Sequence, residues 1–248
     1  MPERLAEVRD RMEKAASAAG RRVDSITLLG ITKGQPATAL HAAARAGITD
    51  VGESYLQEAL DKMTAVEELR AQATLSSTAQ SAAQSSGAPG EGQLTWHFVG
   101  RLQSNKTRPV AERFAWVHAV DRLKIAQRLA EQRPYYAPPL NVCLQLNVAG
   151  EDSKGGVGFA ELPALARAVA ALPRLKLRGL MCLPPEEDDP ARQRHWFAKV
   201  REALEQLNTA GLGLDTLSMG MSGDLEAAIE EGATLIRVGT ALFGPRTP

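Results

Sequence analysis

Eight short apolar runs, each followed by a stretch of helical periodicity, limit this chain to very few architectures. The runs fall near residues 26–32, 48–51, 95–100, 115–120, 141–148, 177–183, 214–218 and 234–239. Helical patterns occupy 36–46, 53–70, 103–111, 122–132, 160–172, 190–209 and 222–231, and another at about 3–19 precedes the first run. Strands alternating with helices predict an α/β fold built on a parallel sheet. Eight such units in 248 residues match a single (β/α)8 TIM barrel, with an extra N-terminal helix, as one domain over 1–248. A doubly wound open sheet is the alternative. Against it, no G-x-G-x-x-G follows the first run.

Local chemistry sets several boundaries. Pro36 suits a helix start, where the missing N–H has no partner to lose. Gly47 after HAAARA suits a helix end that needs a left-handed residue. Asp121 and Ser222 are read as N-caps, accepting from otherwise orphan amides. Residues 71–93 break the rhythm: they are rich in Ala, Ser, Gln and Gly, with almost no large apolar side chain. Such a composition buries too little surface to offset ordering entropy, so 76–93 is expected to be a flexible low-complexity loop.

Lys plus Arg and Asp plus Glu both number 29, so the net charge is zero. That balance argues against nucleic acid or an anionic membrane as the partner. Cys143 and Cys182 lie far apart in apolar contexts, as expected of reduced thiols in a cytoplasmic protein. The charged stretch MPERLAEVRDRMEKAA is no signal peptide, and no apolar run approaches the ~20 residues that span a bilayer. With no obvious hydrophobic surface stripe, a monomer is expected.

Ligands of a parallel α/β barrel meet the C-terminal ends of the strands. Those ends offer Lys33, Glu53 to Tyr55, His97 with Arg101, Asp121, Asn147 with Lys154, Met181, Ser218 to Ser222, and Arg237 to Thr240. LSMGMSGDLEAAI runs from a strand through glycine and serine into a helix, and TLIRVGTALFG ends the last strand on Gly239 and Thr240. Loops after strands seven and eight build phosphate sites in such barrels, and a helix start attracts anions. Simple capping and tight-turn chemistry would use the same residues. Arg237, on one face of an apolar strand, needs a partner, either a nearby acid or a ligand atom. Lys33, where ITLLGITKGQP leaves the first strand, is either half of a salt bridge with an acid such as Glu53 or a reactive amine. His41 and His195 lie in helical stretches; His118 and His97 lie in strands, where a structural role competes with a place in the site. Metal-ligand spacings, GxSxG and Walker-type loops are all absent.

Taken together, ITKGQP, VGESYLQEAL, WHFVGRLQSNK, VHAVDRLKIAQRL, LQLNVAGEDSKGGV, RGLMCLPP and LSMGMSGDLEAAIEEGATLIRVGTALFGPR resemble the pyridoxal phosphate homeostasis protein family, which is alanine racemase N-terminal-domain-like. The resemblance runs from about residue 3 to residue 246, apart from 76–93. It implies a barrel that holds pyridoxal 5′-phosphate (PLP) at its C-terminal face as a Schiff base on Lys33. It further implies phosphate contacts from Ser222, Gly239 and Thr240, and Arg237 against the pyridine nitrogen. Ser54, Asn147 and Met219 complete the expected cofactor-binding set. The chain departs from the family's usual SKTKP at Thr32-Lys33-Gly34-Gln35-Pro36, from GENY at Gly52-Glu53-Ser54-Tyr55, and from histidine at Arg101.

The function so implied is intracellular vitamin B6 homeostasis by a carrier without strong catalysis of its own, delivering PLP transiently to apoenzymes. The alternative is a PLP-dependent amino-acid racemase or decarboxylase of the same fold type. Such enzymes normally add a C-terminal β-domain, for which a chain ending at Pro248 leaves no room. An aldolase-type barrel ranks last, because its lysine usually follows a later strand.

Overall fold

The computed structural model describes residues 1–80, 94–151 and 154–245, with the backbone alone over 73–80. Eight strands close into one parallel barrel in chain order: β1 (Thr27–Ile31), β2 (Asp50–Glu53), β3 (Thr95–Phe98), β4 (Trp116–Val120), β5 (Leu140–Leu146), β6 (Leu175–Cys182), β7 (Thr216–Ser218) and β8 (Leu235–Val238). Around them lie α1 (Pro2–Ala18), α2 (Ala37–Arg45), α3 (Leu56–Gln80), α4 (Thr107–Arg113), α5 (Leu123–Gln132), α6 (Leu162–Ala170), α7 (Pro190–Thr209), α8 (Leu225–Glu230) and α9 (Thr240–Phe243). Closure comes from β8 pairing with β1, Leu29 opposite Arg237 and Gly30 opposite Val238. The expected (β/α)8 barrel with its additional first helix is what forms.

Two separate cores follow from strand alternation. Ile236 and Val238 of β8, Leu217 of β7 and Leu144 of β5 face outwards and join the helices in one large apolar cluster. Facing the other way, the lumen holds a small apolar group, Ala119, Cys143 and Met181, beside Trp116 and Leu183. Polar side chains share the lumen: His97, His118, Gln145, Ser218 and Arg237 are all buried.

α1 buries Leu5, Val8, Met12, Ala15 and Ala16, one stripe of a 3.6-residue period, against the barrel's outer layer. Its polar side reaches the end of the fold. Arg11 grips both carboxylate oxygens of Glu226 at 2.6 and 2.8 Å and donates to the Ser222 carbonyl at 3.0 Å. Arg21, just beyond the helix, donates to the carbonyls of Ile229 and Ala233.

Gly47 does close α2 with a left-handed backbone, φ +88°. The two expected N-caps are not caps. α5 begins at Leu123 and Asp121 instead pairs with Arg122 at 2.7 Å. α8 begins only at Leu225, because the Asp224 carboxylate captures the Met221 amide and spends the intervening residues on a turn. The segment read as a loop over 76–93 is helical as far as Gln80, and its remainder lies outside the described residues.

Candidate functional site

At the C-terminal ends of the strands a cavity of about 450 Å³ opens, within the range of small-molecule sites. Lys33, Ser54, Ser222, Arg237, Gly239 and Thr240 all line it. Strand order explains the gathering: β7, β8, β1 and β2 are consecutive staves, so the turns after them surround one volume. Asn147 and Met219 do not line it. The Asn147 side chain instead ties its own loop, accepting from the Glu151 amide and donating to the Glu151 carbonyl. Met219 is fully buried in the outer apolar cluster. Leu183 and Glu186, from the LPPEE turn after β6, line the cavity and escaped the reading of strand ends, which stopped at Met181.

Lys33 sits on a turn anchored on both sides. Thr32, fully buried, donates its hydroxyl to Glu53, and Gly34 donates its amide to Glu58. Gly34 has φ +69°, a left-handed conformation where a β-carbon is costly. A glycine at this departure from the family's usual SKTKP therefore fits the turn it occupies. Lys62 of α3 ties the anchors together, donating to Glu53 at 2.7 Å, to Glu58 at 2.6 Å and to the Thr32 carbonyl. Glu53 itself is wholly buried, and among the described residues its second oxygen finds no hydrogen-bond partner. Burial raises its pKa, and the bonds from Lys62 and Thr32 only partly offset that. Lys62 carried no signal in the sequence, since a D-K pair on a helix reads as a solvated face.

Arg237 is buried, and among the described residues no carboxylate hydrogen-bonds it, although the charge of Asp224 acts on it against the effect of burial. One guanidinium nitrogen donates to the Ser218 carbonyl and, at 2.9 Å, to the Ser218 hydroxyl; the other donates to the Cys182 carbonyl at 2.8 Å. These use three of the five N–H hydrogens a guanidinium offers. Arg237 also lines the cavity.

From Ser218 a line of contacts crosses the lumen. The Ser218 hydroxyl lies 2.8 Å from His118 Nδ1, His118 Nε2 lies 2.9 Å from His97 Nδ1, and His97 Nε2 lies 3.0 Å from Asp50 Oδ1. His97 stacks on Trp116 with ring planes 7° apart, and Arg178 covers Trp116 at 4.8 Å. Burial lowers the pKa of both histidines, so both are neutral near neutral pH. For Asp50 burial works the other way, but the bonds from His97 and Thr49 outweigh it and the carboxyl stays below its ordinary range. His118 is thus a satisfied interior histidine, and His97 belongs to the same chain.

The site can present an amine, a cation and a set of hydroxyls and amides to one small ligand. The model of the family described as alanine racemase, N-terminal domain, matches residues 5–247. The pyridoxal phosphate homeostasis protein of Pseudomonas aeruginosa is 54% identical over 244 residues, covering 98% of this chain and 95% of that protein. The protein of the same name from Escherichia coli is 47% identical over 242 residues, with 98% and 95% covered. Among solved structures, PipY of Synechococcus elongatus with PLP bound is 33% identical with a TM-score of 0.77, covering 98% of this chain and 99% of that one.

Proposed function

This chain belongs to the alanine racemase N-terminal domain family and, within it, to the pyridoxal phosphate homeostasis proteins; we propose on that premise that it binds PLP. Its role is to take part in vitamin B6 homeostasis. One observation carries the reading: Lys33, Arg237 and the Ser222, Gly239 and Thr240 turns line a single cavity. Those residues fit the cofactor chemically. The lysine amine suits an aldehyde, and the unspent guanidinium hydrogens suit a ring nitrogen that accepts. The hydroxyls of Ser222 and Thr240, with the Gly239 amide, suit a phosphate. α8 starts too late for Ser222 to share its first turn. Hydroxyls and turn amides therefore carry the anion contacts more than a helix dipole does.

When bound, the cofactor supplies an aldehyde that condenses with an amine and a ring that withdraws electrons. In this reading Lys33 holds the cofactor as a Schiff base, anchored by the Thr32 and Gly34 contacts on either side. Arg237 faces the ring nitrogen and keeps it unprotonated, which weakens electron withdrawal and favours holding the cofactor over strong catalysis. The protein then acts in the cytoplasm as a monomeric carrier that hands PLP transiently to apoenzymes. Racemase or decarboxylase activity is the second reading, and α-proton exchange of amino acids well above the rate with free cofactor would establish it.

Borohydride reduction of the protein mixed with PLP, followed by peptide mapping, tests the assignment. The label is expected on Lys33, and Lys33→Ala is expected to lose the visible band of the bound cofactor. Label elsewhere, or a band that survives the substitution, refutes it.

A further inference from the structure

The polar line across the lumen has only one consistent direction. Asp50 is ionised and must accept, so His97 Nε2 carries a hydrogen. A neutral His97 then accepts at Nδ1, which requires hydrogen on His118 Nε2. A neutral His118 accepts in turn at Nδ1, and the hydrogen it receives is that of Ser218. The Ser218 oxygen keeps its lone pairs for Arg237, which can only donate. Every link therefore donates from the cofactor end towards Asp50 at the N-terminal mouth. The mouth is a hollow of about 240 Å³ lined by Asp50, His97, Trp116 and Arg178.

We propose that His118 and His97 are positioning residues for Arg237, and that Asp50 is the terminal acceptor that sets their tautomers. Through Ser218 the one-way chain fixes which guanidinium hydrogens are spent on the protein and which are left for the cofactor's ring nitrogen. Three features of the fold support this. Among the described residues no carboxylate hydrogen-bonds Arg237, so its orientation rests on Ser218 and the Cys182 carbonyl. Stacking on Trp116 holds the plane of His97, which keeps both ring nitrogens on line. The residues come from β2, β3, β4, β7 and β8, so the chain exists only when the barrel is closed. The ligand part of the proposal rests on the PLP-binding reading above; the chain itself does not.

Two measurements test it. In the ligand-free protein, long-range ¹H–¹⁵N correlation of the imidazoles at neutral pH is expected to show hydrogen on Nε2 of both His97 and His118. Hydrogen on Nδ1 of either ring overturns the chain. For the ligand, His118→Leu is expected to weaken PLP uptake about tenfold and to shift the visible band. His118→Gln should recover most of both, since its carbonyl can accept from Ser218 while its amide donates to His97. A role in packing alone would lower the melting temperature and leave the band in place, and that result overturns the proposal. Should His118→Leu fail to fold, Asp50→Ala at the open mouth decides. Removing the terminal acceptor is expected to raise the Nδ1–H population on both rings and to weaken uptake; unchanged tautomers and uptake overturn it. Failure of the wild-type protein to take up PLP overturns the proposed function, and with it the ligand part, while the tautomers still decide the chain.

Discussion

Replacing Lys62 with methionine isolates the buried pair beneath the Lys33 turn. Methionine keeps the length and much of the volume of the lysine stem but removes the charge shared by Glu53, Glu58 and the Thr32 carbonyl. Glu58 is partly exposed and can turn to water, whereas Glu53 is fully buried and cannot. Breaking a buried pair by removing one partner costs about 3–5 kcal/mol, because the stranded charge remains. For a chain of this size that corresponds to roughly 6–20 °C in melting temperature. The pH dependence has a definite sign. Glu53 binds its proton more tightly folded than unfolded, so stability falls as pH climbs from the ordinary carboxylate range through the raised value. Without Lys62 that value moves further up, so the variant's deficit should be larger at about pH 7 than at about pH 4.5. Thermal unfolding followed by circular dichroism at both pH values measures this. Glu53→Gln combined with Lys62→Met should recover at least half of the loss, since no charge is then stranded. A melting temperature within about 2 °C of wild type at neutral pH would refute the account of Lys62 as the counter-ion of Glu53.

Gly100→Ala should destabilise by about 1–3 kcal/mol, as overpacking does, and should weaken PLP uptake. The added carbon would lie 2.1 Å from the Ser54 carbonyl oxygen, so the turn carrying Ser54 into the cavity must move; urea unfolding alongside a cofactor titration reads both effects. Cys143 and Cys182, buried with their thiols pushed up to about 12, should resist a thiol reagent until the protein is unfolded. Rapid labelling of the native protein would contradict the closed lumen around Cys143 and the packed outer layer around Cys182.

The barrel was legible because its signal is local and repeated: each strand and each helix declares itself by its own periodicity. Lys33 and Arg237 were legible for a related reason, as charged residues standing where apolar strands run or end. What local reading missed depends on closure. His97 and His118 lie 21 residues apart, and His118 and Ser218 lie 100 apart, so nothing in either neighbourhood announces a shared chain. Ser222 failed as a cap for a local reason of another kind: two capping-competent residues stand close together, and Asp224 took the turn amide first. Asn147 met a similar fate, because its own loop offered partners before any ligand could.

The contact of Arg11 with the Ser222 carbonyl joins residues 211 positions apart. One of the turns that surrounds the cavity is therefore fastened by the helix furthest from it along the chain. Order of appearance and order of assembly run opposite ways. α1 is ready early, but its partners Glu226 and Ser222 exist only after nearly every stave is in place. Joining ends so distant is entropically slow, so the cavity should be among the last parts of the molecule to mature. A ligand that bridges β1 and the turns after β7 and β8 would spend its binding energy on that same seam. Loaded protein should accordingly open there later than empty protein, so occupancy of the cavity would be felt on the outer surface at α1.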